Sequence, residues 1–174
     1  MKIVNDFLDQ KEFDKLQNIM MGETLPWFFN AGITDSIEKE NTFQFVHAFY
    51  VYQRSFIFVD HNYISILDCL LDKINPTMLC RIKANLLIQT PNIIENIFHI
   101  DIGVLEDFPE KLKQLTTSIF YVNTNNGYTK FEDDTKIESI ANRMVTFPAN
   151  MKHTGTSCTD QNTRVVINFN YFAI

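Results

Sequence analysis

The stretch Thr163-Arg-Val-Val-Ile-Asn-Phe-Asn-Tyr-Phe172 decides how this chain is read. In an extended segment side chains alternate, so Val165, Ile167, Phe169 and Tyr171 share one face while Arg164, Val166, Asn168 and Asn170 share the other. The first face needs a hydrophobic layer. The second carries a guanidinium followed by amides, and an inward-facing Arg of this kind needs an anion, which a dicarboxylate ligand would provide. Guanidinium pairs with carboxylate bidentately, which fixes orientation as well as adding energy.

Upstream of this strand the pattern stays extended. Residues 143–147, 135–140 and 128–131 are short β-type runs. Residues 117–123 are β-branched and aromatic, and the Thr124-Asn-Asn-Gly127 turn after them predicts a hairpin into residues 128–131. Residues 78–90 place Ile82, Ala84, Leu86 and Ile88 on one face and Arg81, Lys83, Asn85, Leu87 and Gln89 on the other. Residues 43–51 alternate as well, with His47 on the face of Phe43, Phe45 and Phe49, the setting of a packing histidine.

Helices fall early. Residues 9–21 have Asp9 to cap, Glu12 three positions on, and an apolar stripe of Phe13, Leu16, Ile19 and Met20. Residues 60–74 form a second amphipathic stretch before Pro76, with His61 at its start, and Trp27 reads as core or rim packing. Helices first and many short strands later imply an α+β, mainly β domain: a barrel or sandwich flanked by helices.

Within that frame, Pro91 ends a strand and residues 92–96 lead into Phe98-His99-Ile100-Asp101. Residues i and i+2 of an extended segment point the same way, so His99 and Asp101 can present an imidazole and a carboxylate to one ion. His153 lies far enough beyond Asp101 for barrel-closing strands to intervene, and a polar Thr/Gly/Asp turn then leads to Arg164. A borderline metal such as Fe(II) accepts two His and one carboxylate on one face of an octahedron, leaving positions for reactants.

Composition limits the rest. The chain has 174 residues, read as one domain spanning 1–174, with 15 basic and 21 acidic residues and a net charge of −6. The cations are scattered, so no nucleic-acid partner is expected. Cys69, Cys80 and Cys158 have neither CxxC spacing nor an even count, which excludes a thiolate zinc site or a disulfide framework. Met1-Lys-Ile-Val-Asn-Asp6 puts a carboxylate where a secretory leader needs an apolar core, and no apolar run is long enough to span a bilayer. The expectation is a cytoplasmic protein without a membrane partner. With 16 Phe and 5 Gly the sequence suits packed strands, and neither GxGxxG nor GxxxxGK[ST] occurs.

His99-x-Asp101, His153 and Arg164, in this order and spacing, resemble the Fe(II)/2-oxoglutarate dioxygenases, particularly their prolyl 4-hydroxylase-like branch, whose small viral and bacterial members are of similar length. Phe120-Tyr-Val-Asn123 leading to Asn126-Gly-Tyr-Thr-Lys-Phe131 is similar to that branch's tyrosine-leucine-asparagine and glycine-glycine-x-threonine-x-phenylalanine strands, and Phe147-Pro148 precedes the distal histidine. The similarity covers about residues 80–172. It implies a double-stranded β-helix, or jelly roll, flanked by N-terminal helices, with Fe(II) on His99, Asp101 and His153. It implies 2-oxoglutarate and O2 as co-substrates, Arg164 on the far carboxylate, and oxidative decarboxylation to succinate and carbon dioxide coupled to C–H hydroxylation, with ascorbate as an accessory reductant.

Two positions depart from the pattern. The glycine pair is reduced to Asn126-Gly127, and the residue two after Arg164 is Val166, so a second contact to the far carboxylate falls to Tyr121, Thr129, Asn85 or Asn168. The substrate class left open is a small molecule, an amino acid or a peptide or protein. Acidic residues on two rims (Asp35, Glu38, Glu40, Glu106, Asp107 and Glu110) would favour a cationic or peptide one. Competing readings are a noncatalytic jelly-roll binding or assembly module with a vestigial or structural metal site, and a metal-dependent hydrolase or isomerase using the same ligands.

Overall fold

The computed structural model describes residues 1–32, 43–53, 55–103 and 108–173. The strands, in sequence order, are β1 (Lys2–Val4), β2 (Phe28–Asn30), β3 (Gln44–Gln53), β4 (Phe56–Val59), β5 (Met78–Ile88), β6 (Leu115–Tyr121), β7 (Tyr128–Phe131), β8 (Lys136–Glu138), β9 (Arg143–Pro148), β10 (His153–Gly155) and β11 (Thr163–Phe172). They form an eight-stranded sheet of order β1-β9-β6-β11-β5-β3-β2, with β4 also on β3, and a three-stranded sheet β10-β7-β8. All these pairings are antiparallel. This is the jelly-roll architecture.

Two cores explain why β11 is buried along nearly its whole length. On one face Val165, Ile167, Phe169 and Tyr171 pack with Ile82, Ala84, Phe49 and Phe120 against the helices. These are α1 (Gln10–Met20), through Phe13, Leu16 and Met20, and α2 (Asp68–Ile74), through Leu70. On the other face Val166 joins Ile119, Tyr121, Phe131, Ile137, Val145 and Phe147 between the two sheets. Each large apolar residue buried this way contributes about 1.5–3 kcal/mol, so the register of β11 is strongly specified: a one-residue slip would put Arg164 into the helical core.

Helix α1 begins where Asp9 accepts a hydrogen bond from the Glu12 amide at 3.1 Å, a cap worth about 0.5–2 kcal/mol. The second helix differs from its expected span of 60–74. The Asp60 carboxylate accepts from the Asn62 amide, holding the backbone in a turn, and a short 3-10 turn over Ile64–Leu67 precedes α2. Pro109 opens a single further turn, α3 (Pro109–Leu112).

The hairpin expected from residues 117–131 is not formed. β6 pairs with β9 and β11 in the larger sheet, whereas β7 pairs with β10 and β8 in the smaller one. Asparagine side chains route the crossing. The Asn123 amide donates to the Thr163 carbonyl and accepts from the Val165 N–H, while Asn125 Oδ1 accepts from the Gly127 N–H. The segment is thus fastened to β11 before it turns into the second sheet.

No helix among the described residues is long and apolar enough to cross a membrane. Asp35, Glu38, Glu40, Glu106 and Asp107 lie outside the described residues. Glu110 is exposed and pairs with Lys113 at 3.0 Å.

Candidate metal and co-substrate site

The two histidines are brought together by backbone pairing. His99 and His153 form an antiparallel bridge, each amide donating to the other's carbonyl at 3.0 Å, which extends the smaller sheet beyond β10. Their rings lie 5.1 Å apart. Each Nδ1 faces a carbonyl two residues back, Ile97 O at 3.0 Å for His99 and Met151 O at 3.2 Å for His153. A carbonyl can only accept, so each Nδ1 carries the proton and each Nε2 keeps its lone pair.

Asp101 completes the group: one ligand atom from each of His99, Asp101 and His153 lies within 4.8 Å of the others. Its carboxylate is buried and well supplied with donors. Oδ1 accepts from Asn168 Nδ2 at 3.2 Å and faces the Arg81 guanidinium at 3.1 Å, while Oδ2 accepts from Asn170 Nδ2 at 3.1 Å. Arg81 Nε in turn donates to Asn170 Oδ1 at 3.1 Å. Burial by itself would raise the Asp101 pKa, but Arg81 first, then His153, His99 and the Asn170 hydrogen bond, hold it well below the usual carboxylate range. Burial lowers the His153 pKa, against the pull of Asp101, and so favours the neutral ring that a metal requires.

Arg164 sits elsewhere on the same cavity wall. It is 1% exposed, yet its partners are hydroxyls: Nε donates to Ser139 Oγ at 2.7 Å and Nη2 to Thr129 Oγ1 at 3.2 Å. The Tyr121 hydroxyl donates to the same Thr129 oxygen at 2.8 Å, and the Tyr121 ring lies 5.8 Å from the guanidinium carbon. No carboxylate of the described residues is within ion-pair distance of Arg164. Burial lowers the Arg164 pKa and raises that of Tyr121, each group opposing the shift of the other. Space for the guanidinium depends on glycine: a Cβ on Gly127 would meet Arg164 Cδ at 2.7 Å and Ser157 O at 2.7 Å.

One cavity joins the two groups, lined among others by His99, Asp101, His153, Thr129, Arg164 and Val166. Of the four residues offered for the second carboxylate contact, Thr129 touches Arg164 and lines the cavity, and Tyr121 stands behind Thr129 outside the lining. Asn85 lines the cavity with an unpartnered Oδ1, whereas Asn168 donates to Asp101. Sequence reasoning did not single out Arg81, Ser139 or Asn96. The parity of β5 does put Arg81 on the face of Asn85, but its partner becomes visible only through the register that sets Arg81 opposite Asn170. His47 lies on the helical side of the sheet, with Nδ1 donating to the Pro26 carbonyl at 2.7 Å and Nε2 3.1 Å from Asp60.

No protein-family model and no curated protein matches the sequence. Solved structures do match. An oxidoreductase of the 2OG-Fe(II) oxygenase family from Burkholderia pseudomallei superposes with a TM-score of 0.66 at 9% identity, over 98% of this chain and 84% of that one. The Trichoplax adhaerens prolyl hydroxylase, solved in complex with a peptide fragment of the hypoxia inducible factor oxygen degradation domain, gives 0.58 at 16% identity over 98% and 82%. The viral collagen prolyl hydroxylase of Paramecium Bursaria Chlorella virus-1 gives 0.53 at 17% identity over 99% and 90%. The protein has the fold of the 2-oxoglutarate and Fe(II) oxygenases, prolyl hydroxylases included. That likeness takes in the helical first half, beyond the residues that carry the resemblance in sequence.

Proposed function

We propose that the protein, acting as one unit over residues 1–174, is an Fe(II)- and 2-oxoglutarate-dependent dioxygenase. Its reaction would hydroxylate a C–H bond of a peptide, protein or amino-acid-like substrate. The observation that carries this reading is the buried Arg164, on the wall of the cavity that holds His99, Asp101 and His153, without a carboxylate of its own. A buried cation is costly unless paired, and a dicarboxylate in the cavity supplies the missing anion.

In this reading His99, Asp101 and His153 hold the iron. Two neutral imidazoles and a carboxylate fit a borderline divalent ion, and both Nδ1–H groups are already bonded, so only Nε2 is offered. Arg164 pairs with the far carboxylate of 2-oxoglutarate, and Thr129, held by the Tyr121 hydroxyl, fixes the guanidinium plane. Ile119, Leu87 and Val166 make an apolar lining that keeps water from the co-substrate. Asn168 and Asn170 hold the Asp101 carboxylate in place. When bound, iron with 2-oxoglutarate and O2 supplies the oxidative decarboxylation to succinate and carbon dioxide, and ascorbate serves to keep the iron reduced. The prolyl hydroxylase neighbour solved with a peptide supports keeping a peptide among the substrates.

The test is to add Fe(II) and 2-oxoglutarate without oxygen and record the visible charge-transfer band of a keto-acid chelate on iron. The band is expected for the native protein and not for His99→Ala. Its absence where iron is shown to bind would overturn the proposal in favour of a jelly roll with a structural metal.

A further inference from the structure

On the β5 and β3 side of the final strand the cavity has a distinct chemistry. The larger sheet contributes Gln44, Lys83 and Asn85, and Asn96 comes from the segment that continues the smaller sheet past β10. Lys83 stands beside Asn168 and Asn85 beside Val166 in the β5–β11 register, so this flank borders the metal-ligand group directly. Two amide oxygens here, Asn85 Oδ1 and Asn96 Oδ1, have no partner although their residues are only 8% and 7% exposed. The orientation of Asn96 is fixed, because its Nδ2 donates to the Gly155 carbonyl at 2.8 Å. Buried acceptors without donors are costly, so a ligand that brings N–H groups is selected over one that lacks them.

The same flank offers no ring to stack on. No Phe, Tyr or Trp lines the cavity, and residues 33–42 and 104–107 contain none. A peptidyl-proline ring, which has no N–H, would leave both amide oxygens unpaired and would bring no carboxylate to the Lys83 ammonium. A group with an ammonium and a carboxylate a few bonds apart answers all three residues at once.

Building on the dioxygenase reading above, we propose that the primary substrate is a free α-amino acid, its ammonium donating to Asn85 and Asn96 and its carboxylate pairing with Lys83. One atom of O2 then enters a C–H bond beyond the α-carbon as hydroxyl and the other enters succinate, with carbon dioxide leaving from 2-oxoglutarate. Amino acid, 2-oxoglutarate and O2 go to hydroxyamino acid, succinate and carbon dioxide, so atoms and electrons balance.

The experiment begins with the anaerobic chelate band of the native protein, then measures succinate release in air with the free amino acids singly and with a prolyl peptide. A free amino acid is expected to stimulate release. Its carboxamide should be poorer in kcat/KM by about tenfold or more, the loss expected for one charge-assisted hydrogen bond. In Lys83→Met that acid-to-amide ratio should fall towards one, and Lys83→Arg should restore it. Stimulation by the prolyl peptide alone, or a ratio unchanged in Lys83→Met, would overturn the assignment while leaving the dioxygenase reading intact. An absent chelate band would instead remove that reading and this inference with it.

Discussion

At one end of the cavity a buried carboxylate, Asp101, receives Arg81, Asn168 and Asn170, whereas at the other a buried guanidinium, Arg164, receives only the hydroxyls of Ser139 and Thr129. The first charge is compensated by the protein itself and stands ready for a cation. The second is not, and the folded protein carries the cost of that burial until an anion arrives. The difference assigns the ends: a metal goes to the one already in balance, and the co-substrate's anion to the one that lacks it.

Asp101→Ala tests the compensated end and should have the largest effect. It leaves Arg81 and two amides facing an apolar gap, so the metal-free protein should lose about 3–5 kcal/mol in a urea titration, the usual cost of breaking a buried pair, and should no longer bind iron. Arg164→Met should act in the opposite direction at the other end. An apolar residue of similar size removes an uncompensated buried cation, so the metal-free protein should gain about 1–2 kcal/mol. The concentration of 2-oxoglutarate needed for the chelate band should meanwhile rise about 100-fold, from two lost charge-assisted bonds. A destabilised Arg164→Met would mean that the two ends do not differ as described.

Gly127→Ala sharpens the comparison without touching either charge. The new Cβ would lie 2.7 Å from Arg164 Cδ and 2.7 Å from the Ser157 carbonyl, so the Arg164 stem must shift. A loss of about 1–3 kcal/mol is expected from overpacking, with weaker 2-oxoglutarate binding and unchanged iron binding by isothermal calorimetry.

Much of this arrangement could be read from residue order. Alternation in residues 163–172 places Arg164 and the amides on one face, and the same parity turns Lys83 and Asn85 towards them. What alternation cannot report is which strand lies alongside. Arg81 gains its role because register sets it opposite Asn170, a relation between residues far apart in sequence. The Thr124-Asn-Asn-Gly127 turn failed as a hairpin signal for a related reason. Turn composition announces a reversal of direction, but whether the next strand rejoins the same sheet depends on partners such as Thr163 and Val165, which Asn123 holds. Helix α2 starts late because the Asp60 carboxylate binds the Asn62 amide, a local competitor to helical pairing that periodicity overlooks.

The smallest effect on the site should come from the remaining buried histidine. His47 is 1% exposed and sits opposite Ala84 on the helical face of the larger sheet, with its ring 4.4 Å from that of Phe49. Its bonds run to the Pro26 carbonyl and towards Asp60, away from the cavity. His47→Ala should therefore lower stability by about 1–3 kcal/mol, through a lost hydrogen bond and a small void, while iron stoichiometry and the 2-oxoglutarate titration stay as in the native protein. A fall in iron stoichiometry at full folding would show that the two faces of the sheet are coupled, and the charge contrast between the ends of the cavity would then not be a property of the cavity alone.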